Sequence, residues 1–417
     1  MSPWLGRLGR AAFWLLAVAI CLSGLELMHA VTQVNGTRVL YDFRGGLFNA
    51  GVAILHGHSP YQPGFLAHQT AIMRAGGAAL GETSSKPFSI PVYPAAANVA
   101  VVPLSLLPFW LAATIYTVLS VAALLLGIRL LGVRDWRCLA LSLISWPFLF
   151  GLYLGAIGPF LVLGAGIAWH CRERLWPPAL AIATIVAAKV FPWPLGVWLL
   201  VTRRYKALAL AVAAGVVLTF GAWALIGFDG LVQYPKMLSE VSFLQEGRAV
   251  SVVAVLLVAG VSSGAATTIA LALTGALLLA AWRIAGGPDG DRRCFALVTI
   301  AALTSTPIVW EHYMVLLLVP VALVSPRLSK LWLLPMCTPL VTVFSTVVVP
   351  LGSHRGPHPP ETLRTAVPWL LIQAVITARV LFPGATLRVP SGVGNNSARA
   401  VGDDQRRRRP PVRPELA

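Results

Sequence analysis

The run AAFWLLAVAICLSGLELMHAV, Ala11 to Val31, is long enough as a helix to cross roughly 30 Å of hydrocarbon. Runs of the same kind recur along the chain, and they decide what it can fold into. Of 417 residues, 57% are hydrophobic and only 11% are charged, more apolar surface than a soluble globule can hide. The sequence therefore predicts an all-α, polytopic integral membrane protein. The first run lacks an A-x-A cleavage site at its end and reads as a retained helix rather than a removed signal.

Crossings are expected near 11–31, 94–131, 137–150, 156–171, 177–188, 190–202, 206–227, 264–285, 293–309, 311–325, 329–350 and 366–382, about twelve in all. Several are short for a span, which implies tilt or local thinning. The second is too long for one helix, and Pro103 and Pro108 are expected to break it. Segment 249–262 is apolar but short and reads as re-entrant or interfacial. Residues 1–385 form the membrane domain, and 386–417, rich in Arg, Pro, Gly and Asn, read as a disordered basic cytoplasmic tail.

The net charge of +17 would suggest nucleic acid in a soluble protein, but its placement excludes that here. Arg7 and Arg10; Arg129, Arg134 and Arg137; Arg172 and Arg174; Arg203, Arg204 and Lys206; Arg283, Arg292 and Arg293; Arg327 and Lys330 all fall on one side of the twelve crossings. By the excess of basic residues in short loops, that side and both termini are cytoplasmic. The opposite face receives two large loops, 32–93 and 228–248. The five cysteines, Cys21, Cys138, Cys171, Cys294 and Cys337, lie in or beside apolar runs without metal-type spacing and read as packing residues.

Most ionisable groups on the outer face read as solvated loop residues. Three places resist that. Lys189, in AAKVFPWP, stands between apolar runs with no other charge nearby, so it needs a watery cavity or an anion, or snorkels from a helix end. Glu311 and His312 open a span in STPIVWEHYMVLLL, either as a functional pair or as a structural polar pair. Asp42 precedes an amphipathic segment with Phe43, Leu47, Ala50 and Ile54 at helical spacing, expected to lie along the membrane surface. That carboxylate either caps the helix or is held at the bilayer edge to take a proton from a hydroxyl.

Five stretches in order across roughly 40–325 carry a resemblance: YDFRGGLFNAGVAILHGHSPYQP, YPAAANVAVVPLSLLPFWLA, GLYLGAIGPFLVLGAGIAWHCRER, AAKVFPWPLGVWLLVTRRYKA and TPIVWEHYMVLLLVP. Together they resemble glycosyltransferase family 87, polyprenol-phosphate-sugar-dependent transferases of the C-type membrane fold. The resemblance implies an α-(1→2)-mannosyltransferase of the kind that builds lipoglycans in mycobacteria and relatives; other members transfer arabinofuranose. The Ala- and Arg-rich composition fits an actinobacterial source. By the same resemblance Asp42 is the catalytic base, His312 its catalytic companion and Lys189 a donor-phosphate ligand. Tyr61, Tyr93 and Glu311 stand in support. Two departures are visible: Gly155-Ala156-Ile157-Gly158 stands where members often have Gly-Gln-x-Asn, and Tyr93-Pro94-Ala95 where they usually have Tyr-Pro-Pro.

The mechanism expected is direct displacement. A sugar phosphoryl polyprenol lies in the outer leaflet, Asp42 takes the proton of an acceptor hydroxyl on a glycolipid or lipoglycan, and the anomeric centre inverts. Lys189, Arg44, Arg38 and Lys86 are the cations available to the departing polyprenyl phosphate. No cofactor or metal is expected, since no nucleotide diphosphate needs a clamp. A lipid-linked sugar transporter or flippase is the rival from another class. It requires polar residues deep in mid-membrane helices, whereas here they cluster at one face. An inactive scaffold is a third reading, kept open by the Gly155–Gly158 stretch.

Overall fold

The computed structural model describes residues 40–62, 64, 67, 92–245, 249–336 and 359–383. Packing divides the chain into Met1–Leu381 and Phe382–Ala417, and of the second unit only Phe382 and Pro383 are described. The expected first span, residues 11–31, and the basic tail lie outside the described residues, as do Arg38 and Lys86. All regular structure among the described residues is helical. The first helix, α1 (Asp42–Phe48), has a wide π-type winding and continues into α2 (Asn49–Leu55). Then follow α3 (Ala95–Ser105), α4 (Phe109–Leu130), α5 (Trp136–Leu143), α6 (Trp146–Leu154), α7 (Gly158–His170) and α8 (Trp176–Ala188). The series continues with α9 (Pro194–Val201), α10 (Tyr205–Leu225), α11 (Gln233–Gln245), α12 (Val252–Val258), α13 (Ser263–Ile284) and α14 (Gly290–Thr304). It ends with the 3₁₀ turn α15 (Glu311–Leu317), α16 (Leu318–Val324), the 3₁₀ segment α17 (Lys330–Met336) and α18 (Pro359–Leu381).

Among these, α4, α10 and α13 are long and apolar enough to cross a membrane, and α5 with α6, bent by 50°, makes a fourth if counted as one span. This is fewer full-length helices than the twelve crossings expected. The expected spans 11–31 and most of 329–350 lie outside the described residues, and four of the others are shortened by proline: α6, α7, α8 and α9 each carry Pro in the first turn, where a helix starts readily and cannot be extended backwards. The break expected in 94–131 falls at Pro108, which caps α4, while Pro103 is accommodated inside α3.

The three long helices are apolar on every side, as a membrane span requires. Trp110, Val118 and Leu126 on α4, Val212, Val217 and Phe220 on α10, and Leu271 and Trp282 on α13 all point away from the protein. Their other faces pack by close approach of small residues. A Cβ on Gly127 of α4 would lie 2.9 Å from Leu163 of α7, and one on Gly166 would lie 2.6 Å from the Gly127 carbonyl. Without glycine at both points the α4–α7 contact opens.

The connections sort into two groups. In the basic group Asp291 accepts Arg204 at 2.9 and 3.1 Å and Trp198 Nε1 at 2.7 Å, with Arg172 at 3.4 Å, so three connections share one carboxylate. Arg293 donates to the last carbonyls of α18, Val380 at 2.8 Å and Leu381 at 2.7 Å. Asp135 binds Arg137 and the Leu328 amide.

The other group holds the candidate site. Leu40 N–H donates to the Tyr153 carbonyl at 2.7 Å, Ser59 Oγ to the Asp229 carbonyl at 2.9 Å, and Val250 N–H to the Val309 carbonyl at 2.6 Å. Two differences from expectation occur here. The loop 228–248 contains a helix, α11, whose Tyr234 and Met237 pack beside Tyr61 and Trp223. The apolar face of 42–54 meets protein rather than a membrane surface: Phe43 and Leu47 are 0% exposed, and Phe43 stacks on Tyr116 at 4.2 Å. Segment 249–262 holds only the short α12, anchored by Ser251 Oγ donating to the Pro307 carbonyl at 2.8 Å.

Candidate active site

Asp42 begins α1 without capping it, since no side-chain cap bond forms at that terminus. The carboxylate turns to Tyr93, whose hydroxyl donates to Asp42 Oδ2 at 3.4 Å. About a fifth of the Asp42 side chain, 21%, stays accessible. The segment is fixed from below by the GLYLGAIG stretch. Gly155 ends α6 at φ +71°, a conformation glycine adopts without strain. A Cβ there would lie 2.5 Å from Phe43 Cβ and 3.2 Å from Leu40 Cδ2. So Gly155 lets residues 40–43 sit down on the end of α6.

Tyr93 is placed in turn by Tyr61. The buried Tyr61 hydroxyl donates to the Tyr93 carbonyl at 2.6 Å and accepts from Asn98 Nδ2 at 2.7 Å. Gly46 of α1 leaves room for the Tyr93 ring, which a Cβ would approach to 3.0 Å. Lys189 follows the last residue of α8 in an extended conformation. Its Nζ lies 4.4 Å from the centre of the Tyr93 ring and 5.1 Å from that of Tyr313, so two aromatic faces hold the ammonium. That is a directed position, not a snorkelling one.

Burial pushes the Asp42 carboxyl up to about 6, with the Lys189 charge and the Tyr93 hydroxyl opposing it. Burial lowers the Lys189 ammonium to about 8, with the Asp42 charge opposing. Each charge thus opposes the neutralising effect of burial on the other.

His312 Nε2 stands 3.9 Å from Asp42 Oδ2, too far for a hydrogen bond. The ring is 3% exposed, and neither nitrogen finds a hydrogen-bond partner among the described residues. Its neighbour Glu311 points elsewhere and accepts Trp146 Nε1 at 2.6 Å, which answers the structural reading for that residue. Arg44 is exposed and lies over the Phe109 ring at 4.7 Å. Thus Asp42, Tyr93, Lys189 and His312 come together, Tyr61 supports them, and Arg44 and Glu311 have other contacts. No group of three or more metal-ligating side chains gathers among the described residues. The sequence reading missed Tyr116. It stacks on Phe43 from the middle of α4, where one tyrosine in an apolar run gives no signal.

A carboxylate of raised pKa beside a caged ammonium is equipped to take a proton while an anion is held nearby. Residues 92–309 match the family described as Glycosyltransferase family 87, a stretch that contains Tyr93, Tyr116 and Lys189 but neither Asp42 nor His312. The polyprenol-phosphate-mannose-dependent alpha-(1-2)-phosphatidylinositol pentamannoside mannosyltransferase of Mycolicibacterium smegmatis (strain ATCC 700084 / mc(2)155) is 27% identical over 249 residues, 55% of this chain and 60% of the relative. The chain thus matches less than two thirds of that relative's length. No solved structure matches the chain.

Proposed function

Since the chain belongs to glycosyltransferase family 87, we propose that it moves a mannosyl residue from a polyprenyl-phosphate donor to a glycolipid acceptor, with a mannosylated phosphatidylinositol as the acceptor class. Asp42 takes the proton from the acceptor hydroxyl as its oxygen attacks the anomeric carbon. The bond to the donor phosphate breaks on the opposite side, and polyprenyl phosphate leaves with the electron pair. A β-linked donor then yields an α-linked product, here read as α-(1→2). Lys189 faces the phosphate, where negative charge grows during the reaction.

The observation that carries this reading is the meeting of Asp42 and Lys189 around Tyr93, its hydroxyl 3.4 Å from the carboxylate and its ring 4.4 Å from the ammonium, at the end of α8 away from the basic connections. With those connections cytoplasmic, the site opens on the outer face, both termini are cytoplasmic, and twelve crossings of a C-type architecture give the alternation. Reconstituted protein is expected to transfer labelled mannose from polyprenyl phosphomannose to octyl α-D-mannopyranoside, and proton spectra of the product identify the linkage. Transfer only from a nucleotide sugar overturns the reading. Transfer only from polyprenyl phosphoarabinofuranose keeps the donor class and replaces the sugar.

Gly155 supplies a test of placement. Gly155→Ala drives a methyl group into Phe43 and displaces Asp42, and a shift of about 1 Å is expected to cost about 10²-fold in transfer. Gly132, at φ +100°, has nothing within 4 Å of a Cβ, so Gly132→Ala imposes similar backbone strain without displacing Asp42. Equal transfer by the two variants, per folded protein, would show that the Gly155 contact does not position the carboxylate.

A further inference from the structure

Two side chains near Asp42, Tyr116 and His312, leave a specific set of hydrogen bonds unmade. Tyr116, on α4, is 4% exposed, and its hydroxyl has no partner among the described residues. Its ring lies against Phe43 at 4.2 Å and Phe160 at 5.5 Å, which fixes the side chain next to the residue that follows Asp42. The hydroxyl is within electrostatic reach of Asp42, Tyr93 and Tyr313. Both His312 nitrogens are likewise unpartnered, and the 3.9 Å separation of Nε2 from Asp42 Oδ2 leaves no direct bond between them.

An apolar span rarely carries a buried hydroxyl with nothing to bind, because water has been given up and nothing returned. The inventory at this place is one phenol O–H, one imidazole N–H, one imidazole lone pair and a carboxylate. Apart from Lys189, already assigned to the phosphate, this mixture includes a carboxylate that would repel a second anion. It suits adjacent hydroxyls on a ring, each of which gives one hydrogen bond and takes others.

We propose that Tyr116 is a sugar-binding residue, its hydroxyl bonding to one secondary hydroxyl of a hexose ring bound beside Asp42 and His312, an assignment that rests on the transferase reading above. The chemistry is the same whether the ring belongs to the donor or to the acceptor, and titration with each ligand separates them.

Tyr116→Phe removes one oxygen and leaves the stacking on Phe43 in place. Its unliganded melting temperature in detergent is expected to match or exceed wild type, because a hydroxyl without a partner is lost. Binding is expected to move the other way. Affinity for either octyl α-D-mannopyranoside or a short-chain polyprenyl phosphomannose, measured by equilibrium titration, falls by about tenfold. One monodeoxy form of that ligand loses about the same factor against wild type and nothing further against Tyr116→Phe. Unchanged affinity of Tyr116→Phe for both ligands overturns the proposal, as does wild-type protein that binds neither. Wild-type protein that binds a ligand through Tyr116 but transfers no sugar leaves this assignment standing and removes the transferase reading instead.

Discussion

Asp42→Asn is expected to lower mannosyl transfer by about 10²–10⁴-fold, the range for loss of a general base, while the protein stays folded. The amide keeps the size of the carboxylate and an oxygen for the Tyr93 hydroxyl, which now reaches Oδ2 at 3.4 Å. What it cannot do is accept a proton. The pH profile is the finer measurement. Burial raises the Asp42 carboxyl to about 6, and the base works only when ionised, so wild-type kcat/KM falls as pH drops below about 6. Lys189 is lowered to about 8, so the rate falls again as the ammonium is lost above that value. The two limbs belong to a coupled pair, and each reports the pair rather than one residue alone. Residual transfer by Asp42→Asn should lack the acid limb. A variant that transfers at the wild-type rate, or a wild-type profile flat from pH 5 to 9, removes Asp42 from the base role.

The parts of this site that were legible in the sequence were those whose surroundings made them anomalous. A lysine between two apolar runs and an acid ahead of an amphipathic segment each need a partner, and the structure brings both to Tyr93, the acid at its hydroxyl and the lysine at its ring. Periodicity correctly marked Phe43, Leu47 and Ala50 as a buried face, but it cannot say whether protein or lipid does the burying. The covering surface comes from Phe109 and Tyr116 on α4, more than sixty residues on. Glu311 and His312 looked like one polar pair because they are adjacent in sequence. On a 3₁₀ turn neighbouring side chains diverge by about 120°, so one meets Trp146 and the other faces Asp42. Arg44, two residues after Asp42, is carried to the outside of the same turn and lies on Phe109. The helix Gln233–Gln245 was hidden by its polar composition: among its described side chains Tyr234 and Met237 are buried in an apolar cluster, with Leu238 and Val241 partly buried against it.

Lys189→Gln is expected to reduce kcat for transfer by about 10²–10³-fold, the cost of losing one charge-stabilising group, with a smaller change in donor KM. The asymmetry follows from charge: the donor phosphodiester carries one negative charge, and the departing phosphate monoester gains a second. A fixed cation therefore binds the transition state more strongly than the ground state. Removing the ammonium also removes what opposes burial at Asp42, so the acid limb of the pH profile should move above about 6. Lys189→Arg separates charge from shape. The guanidinium is planar and stays protonated throughout the working range, whereas the native ammonium is a point charge between two ring faces at 4.4 and 5.1 Å. Whatever rate this variant keeps should have lost the alkaline limb near pH 8, because its cation no longer titrates there. Persistence of that limb in Lys189→Arg would assign the alkaline loss to another group, and an unimpaired Lys189→Gln would take the lysine away from the phosphate altogether.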